Sequence, residues 1–228
     1  MCKLHHYSFH LYVFLENNST DDTLKVIQDF VGPKKLIRLW FKDDMIQKAG
    51  NPYEAIGIVR QILLEYARKL NPKHAIFVDD DIVIYPTDFI RKIVGKHKDI
   101  IGAPYLRCFP EGTFLASKWK RKGKEKLWFK AHCKGLQRVH VTSAGCLCLS
   151  RKVIQDKRVN FYPIIWTKDL TASEDFGYCI RAHEAGYDVW LDGDIGGIGH
   201  YADAFEKKPW MVTKDKAGNV TGYITFNF

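Results

Sequence analysis

The sequence predicts an α/β domain with a parallel, helix-covered sheet, and three observations carry that expectation. Strand-like and helix-like segments alternate through the N-terminal half as β-α-β-α-β-α-β. The run Ala75-Ile76-Phe77-Val78 is short and continuously apolar, as in a strand covered on both faces. Turn and cap residues punctuate the segments where helices should start and stop.

Taken in order, Phe9 to Leu15 is rich in aromatic and β-prone residues and reads as a strand. Glu16-Asn17-Asn18-Ser19-Thr20-Asp21-Asp22-Thr23 follows, dense in turn and cap residues, and leads into a helix from about Thr23 to Phe30 that Gly32-Pro33 closes. Leu36 to Phe41 is a second strand. Asn51 caps a longer helix whose first position is Pro52, where a missing N–H costs nothing. Ile56, Val59, Ile62, Leu63, Tyr66 and Leu70 keep helical spacing along it, and Asn71-Pro72 stops it. Beyond the 75–78 strand and Asp79-Asp80-Asp81, Pro86 opens a helix reaching about His97, and Asp99 to Ala103 returns as a strand.

The second half is less regular. Arg107 to Lys134 holds a basic loop, and Val139 to Ser150 forms one or two strands broken at Ala144-Gly145. Glu174 to Ala185 is a helix with Ser173 as N-cap and Gly186 at its C-terminal turn. Tyr187 to Leu191 is a strand, and a hairpin is expected around Gly218-Asn219. With no repeat, low-complexity tract or linker, 228 residues read as one domain.

A chain that is 46% hydrophobic and 27% charged has the balance of a globular protein, which argues against disorder, collagen-like repeats and coiled coil. No apolar run approaches the roughly 20 residues that span a bilayer. His5, His6 and His10 interrupt the only apolar N-terminal stretch, so a secretory leader is not expected. Cys2, Cys108, Cys133, Cys146, Cys148 and Cys179 include no CxxC pair, against a structural zinc site and in keeping with a reduced, cytoplasmic protein. Cys146 and Cys148 alternate on a strand and are expected to pack as small hydrophobes. Thirty-five basic against 26 acidic residues give a charge of +9, which favours anionic partners. Lys118, Lys120, Arg121, Lys122, Lys124, Lys126, Lys130 and Lys134 concentrate the excess, opposed only by Glu125; the segment is a solvated loop or an anion contact.

Three consecutive carboxylates at a strand's carboxyl end repel one another unless a cation compensates, and ligands of open α/β sheets bind at those ends. Asp79-Asp80-Asp81 therefore reads as a hard-oxygen site for Mg²⁺ or Mn²⁺ carrying phosphates, against a plain turn ahead of the Pro86 helix. Glu174-Asp175 is first of all a favourable acidic start to a helix; beside a metal-bound phosphate it would also supply a general base. His200, flanked by Gly196, Gly197 and Gly199, offers an imidazole ligand.

The Glu16–Thr23 segment after a strand, Asp79-Asp80-Asp81 after a strand, Ala144-Gly145, and Glu174-Asp175 with its helix through Ala185-Gly186-Tyr187 together resemble the GT-A fold glycosyltransferases, most closely the family 2-like group. Order and spacing agree from about residue 10 to residue 201. The resemblance implies a Rossmann-like, three-layer α/β/α domain with a mostly parallel central sheet. It also implies that a strand and helix which usually precede the Glu16 segment are missing here, and Asn17-Asn18 stands where an acidic-glycine pair is usual. By motif, Glu16, Asn18, Asp79, Asp80 and Gly145 would contact the nucleotide sugar, and Asp81, Asp79 and His200 the Mn²⁺ or Mg²⁺ ion. Asp175 would deprotonate the acceptor hydroxyl, with Glu174 supporting it.

The implied activity is transfer of a sugar, with inversion, from a nucleotide diphosphate donor to the hydroxyl of a glycan, lipid or protein acceptor. The basic 118–134 segment would close as a lid over the diphosphate. It is also compatible with peripheral contact of a cytoplasmic enzyme with a membrane. Trp119, Trp128 or Trp166 would stack on sugar faces if not buried. Three alternatives stand beside this: a sugar-nucleotide nucleotidyltransferase, for which no Gly-rich basic phosphate loop is found near the N-terminus; a non-catalytic relative; and a basic nucleic-acid-binding module, which leaves Asp79–Asp81 unexplained, so nucleic acid is not the expected partner.

Overall fold

The computed structural model describes residues 11–15, 21–31, 36–39, 52–84, 86–104, 113–119, 126–130, 135–167, 170–195, 198–200, 210–214 and 220–225. Contacts divide the chain into two compact units. One comprises Met1–His5, Asn71–Val159 and Cys179–Phe228, the other His6–Leu70 and Asn160–Tyr178.

The first unit is built on a five-stranded sheet. Its strands are β3 (His74–Val78), β5 (Ile100–Gly102), β8 (Leu136–Val139), β10 (Cys146–Ser150) and β13 (Val189–Asp192), in the order β3-β10-β5-β13-β8. The fold is α/β, but the sheet is mixed rather than mostly parallel. Only β5 and β13 pair in parallel, while β10 runs antiparallel to both β3 and β5, and β8 antiparallel to β13. The cause is an insertion. β10, from the second half of the chain, lies between two strands that sequence order would make neighbours, so β3, β5 and β13 still point one way while their partners oppose them.

One face of this sheet packs against α3 (Phe89–Val94). Phe89 and Ile93 join Ile82, Ile101, Ala103, Cys146, Cys148 and Ile195 in a buried cluster, with Trp190 against its side. Burial of each large side chain there contributes roughly 1.5–3 kcal/mol relative to exposure. The two cysteines do pack as small hydrophobes. The helix is shorter than its expected 86–97 span; Asp88 makes no side-chain cap bond, and His97 turns to a left-handed φ of 51° before β5. α4 (Arg151–Gln155) follows β10 directly.

The span expected as a basic loop contains two strands, β6 (Thr113–Trp119) and β7 (Lys126–Lys130), paired antiparallel. β6 also pairs with β9 (Val141–Thr142), so this ribbon is tied to the stretch that leads into β10. β4 (Ile82–Ile84) pairs with β14 (Ile198–His200), and β15 (Trp210–Lys214) pairs with β16 (Val220–Thr225), the expected C-terminal hairpin.

In the second unit β1 (Tyr12–Leu15) and β2 (Leu36–Leu39) pair in parallel, with α1 (Thr23–Val31) between them in sequence. The unit also holds α2 (Pro52–Leu70) and the antiparallel pair β11 (Ile164–Thr167) and β12 (Leu170–Ala172). α2 ends where foreseen: Asn71 takes the left-handed φ of 49° that Asn tolerates better than most residues, and Pro72 cannot continue the helix. Its buried stripe differs from the apolar one. Gly57, Arg60, Gln61 and Leu64 are buried, whereas Ile56 and Leu70 are exposed.

α5 (Glu174–Glu184) begins in the second unit and ends in the first. Its first helical bond runs from the Gly177 amide to the Ser173 carbonyl, which makes Ser173 the N-cap. At its other end Gly186 has φ 91°, the Tyr187 amide reaches the Ala182 carbonyl and the Gly186 amide the His183 carbonyl. Those two bonds and the left-handed glycine form a Schellman cap. Among the described residues no helix is long and apolar enough to cross a membrane.

Candidate functional site

β3 delivers its acidic tail to the sheet edge where β3, β5 and β13 all end. The strand is held by its ladder with β10, in which Val78 is opposite Cys146 and His74 opposite Ser150. Immediately beyond, the Asp79 amide donates to the Gly145 carbonyl at 3.0 Å, and the Ile82 amide donates to the Asp79 carbonyl at 3.1 Å. The first bond carries the ladder one step past β3; the second closes a tight turn over Asp79-Asp80-Asp81. Asp80 is exposed, and Asp79 and Asp81 are half-buried.

Ser143, Ala144 and Gly145 are all buried, and the Gly145 amide lies 3.4 Å from the Ser143 hydroxyl. The Asp79-Asp80-Asp81 cluster and Gly145, distant in sequence, are brought together by this backbone bond. His200 joins them through a different ladder. It pairs with Ile82, the residue after Asp81, so a third candidate ligand stands one register position from the acidic turn. Carboxylate oxygens are the donor type that Mg²⁺ and Mn²⁺ prefer. Among the described residues no group of three His, Cys, Asp or Glu side chains is disposed to hold a metal ion.

The thiols beside the turn take no part. Cys146 and Cys148 are buried, and burial pushes the Cys148 thiol up to about 12 and the Cys146 thiol higher, Cys148 and Asp79 adding to the effect on Cys146.

In the second unit, Glu174 and Asp175 open α5 in different surroundings. Glu174 is 3% exposed and forms an ion pair with Arg60 of α2, itself 7% exposed. Asp175 is half-buried; its Oδ1 accepts from the Ser173 hydroxyl and, at 2.7 Å, from the Phe176 amide. These bonds fix the direction of the carboxylate. Arg60 was not foreseen as a site residue. Its signal was present in the helical spacing of Gly57, Arg60, Gln61 and Leu64, but the larger apolar set one position away masked it. Gln61 assists: its Oε1 accepts from the Phe161 amide at 3.0 Å, and Phe161 stacks on Tyr178 of α5 with ring centroids 4.2 Å apart.

Glu16 and Asn18, named for the nucleotide, lie outside the described residues, as do 120–125 and 131–134 of the basic segment. Trp119, Trp128 and Trp166 lie on β6, β7 and β11 respectively.

No protein family matches the chain, and no curated protein matches it. Among solved structures it is similar to A197 from STIV, with a TM-score of 0.48 and 14% identity over 96% of this chain and 95% of that one. It is also similar to the inositol-1-phosphate CTP transferase from T. maritima, with a TM-score of 0.45 and 13% identity over 82% of this chain and 68% of that one. A third likeness is to HddC from Yersinia pseudotuberculosis, with a TM-score of 0.35 and 11% identity over 76% of each chain. At these values the likenesses carry no argument about the activity of this chain.

Proposed function

We propose that the chain is a divalent-metal-dependent glycosyltransferase that moves a sugar from a nucleotide diphosphate donor to a hydroxyl acceptor, with inversion. The observation that supports this best is the turn Asp79–Asp81 bonded to Gly145 through the Asp79 amide, with His200 in register beside it. The edge of such a sheet, beyond the carboxyl ends of strands that point one way, is where phosphorylated ligands bind.

Asp81, Asp79 and His200 are the residues that would hold Mn²⁺ or Mg²⁺. The ion, when bound, neutralises charge developing on the departing diphosphate. The chain's own residues do the rest. The buried Ser143–Gly145 stretch, bonded to Asp79 through the Gly145 carbonyl, backs the acidic turn with small side chains and lets the donor sugar approach it closely. Asp175, oriented by the Ser173 hydroxyl and the Phe176 amide, takes the proton of the attacking hydroxyl. Glu174 is a positioning group in this scheme, since its carboxylate is engaged by Arg60. The basic 118–134 segment, in which Lys118 falls on β6 and Lys126 and Lys130 on β7, would supply cationic contacts to the diphosphate. The acceptor is a glycan or another hydroxyl compound.

Release of nucleoside diphosphate tests the reading, with UDP-, GDP-, ADP- and dTDP-sugars offered in the presence of Mn²⁺. The wild type should turn over one of them, and Asp81→Ala should abolish turnover while keeping its fold. Wild-type turnover in Asp81→Ala would remove the proposal. Release of pyrophosphate from a nucleoside triphosphate and a sugar phosphate would indicate a nucleotidyltransferase, which uses the same acidic chemistry.

A further inference from the structure

We propose that Arg60 is a positioning residue for the Asp175 carboxylate, acting through Glu174; this rests on the reading of Asp175 as the base. Arg60 sits on the buried stripe of α2, and its guanidinium meets the Glu174 carboxylate at the first residue of α5. Asp175 is the next residue, so the direction of its Cα–Cβ bond is set by whatever fixes that first turn.

Three independent contacts converge there. A Cβ built on Gly57 would lie 2.7 Å from the Phe161 carbonyl oxygen and 3.2 Å from Glu174 Cβ, so α2 approaches this corner as closely as backbone allows. Gln61, the next residue after Arg60, holds the Phe161 amide. Arg60 itself supplies the one contact of the three that reaches α5 through charge. A well-packed apolar pair fills such a space at least as stably as an ion pair, because desolvating both charges offsets much of their attraction. What this pair adds is an anchor point: Arg60 Nη1 meets Glu174 Oε1, one oxygen of the carboxylate, and holds the start of α5 against α2. The contribution of the pair is therefore to position more than to stability. Glu174 in turn fixes the first turn of α5, in which Asp175 accepts from Ser173 and Phe176.

The test compares wild type, Arg60→Lys, the double variant Arg60→Met with Glu174→Met, and Asp175→Asn. Thermal melting, hydrogen exchange of the Phe176 amide, and kcat and KM for nucleoside diphosphate release are measured on each. The double variant should melt near the wild type, since both charges leave together. Its Phe176 amide should exchange at least about tenfold faster, with donor KM within about twofold and kcat reduced about 100-fold, the size of a small misplacement of a reacting group. Arg60→Lys should recover part of that loss.

A double variant with wild-type kcat and Phe176 protection overturns the inference, because packing alone then positions the turn. If the double variant does not fold, Arg60→Lys decides alone: wild-type kcat in it overturns the inference, and reduced kcat at unchanged KM supports it. If no donor is turned over, Phe176 exchange decides, and protection unchanged from wild type overturns it. Wild-type kcat in Asp175→Asn instead removes the premise, and the inference falls with it.

Discussion

The amide of Asp79 donates to the carbonyl of Gly145 at 3.0 Å, tying the acidic turn after β3 to the small-residue turn before β10. One backbone bond thus unites two motifs that lie far apart in the chain. It also places the turn next to a buried, tightly packed strand, and this has a chemical consequence.

Cys146 and Cys148 flank Leu147 on that strand and face α3. Burial raises both thiols, Cys148 to about 12, so neither carries thiolate at neutral pH. Iodoacetamide at pH 7.5 should leave Cys146, Cys148 and the buried Cys179 unmodified in the native protein and label all three in urea, as peptide mass spectrometry would record. Native labelling of Cys146 would contradict the packing described for β10.

Removal of one partner of the buried Arg60–Glu174 pair takes from the other the opposite charge it meets. Arg60→Ala should therefore lower stability by about 3–5 kcal/mol. Urea denaturation provides the measurement, and a loss below about 1 kcal/mol would mean that the pair is solvated.

Gly57 is required by proximity. The 2.7 Å that would separate an added Cβ from the Phe161 carbonyl oxygen is closer than side chains approach a backbone oxygen, so either α2 or the 161–163 segment must shift. Gly57→Ala should cost about 1–3 kcal/mol, in the range for overpacking, despite alanine's better helix propensity. A gain in melting temperature would contradict it.

His74 opens β3 half-buried. Burial, and then the like charges of His97 and Lys73, hold its pKa below the ordinary 6.5. The unfolded chain therefore binds this proton more readily than the folded one. Stability from this site is fully present above pH 6.5 and falls as pH drops through the window beneath it. Urea unfolding from pH 7.5 to 5 should show this fall, and His74→Gln should reduce its slope; an unchanged slope would assign the effect to other groups.

Much of this architecture was legible in the sequence. β1, α1, β2, α2 and β3 appear in the expected order because each is local: an apolar run, a cap, a proline stop. The turn at Asp79–Asp81 was legible for the same reason, as acids directly following a continuous apolar strand. The direction of the sheet was not. No local pattern in Cys146-Leu147-Cys148-Leu149-Ser150 tells that it will insert between β3 and β5, since a strand buried on both faces reads alike in either direction. The strands at 113–119 and 126–130 were hidden by their lysines, which made the whole span read as a loop. On α2 the apolar spacing of Ile56, Val59, Ile62 and Leu63 located the helix but not its most buried positions, because Gly57, Arg60 and Gln61 are buried by partners that come from far along the chain.

The central claim is that Asp79 and Asp81 hold a divalent cation together with the diphosphate it neutralises. Electron paramagnetic resonance of Mn²⁺ titrated with the protein, with and without UDP and GDP, measures this directly. The account predicts that the free-ion signal falls with wild type, falls further when the matching nucleoside diphosphate is added, and persists with Asp79→Ala/Asp81→Ala. An equal loss of signal with that folded double variant would contradict it.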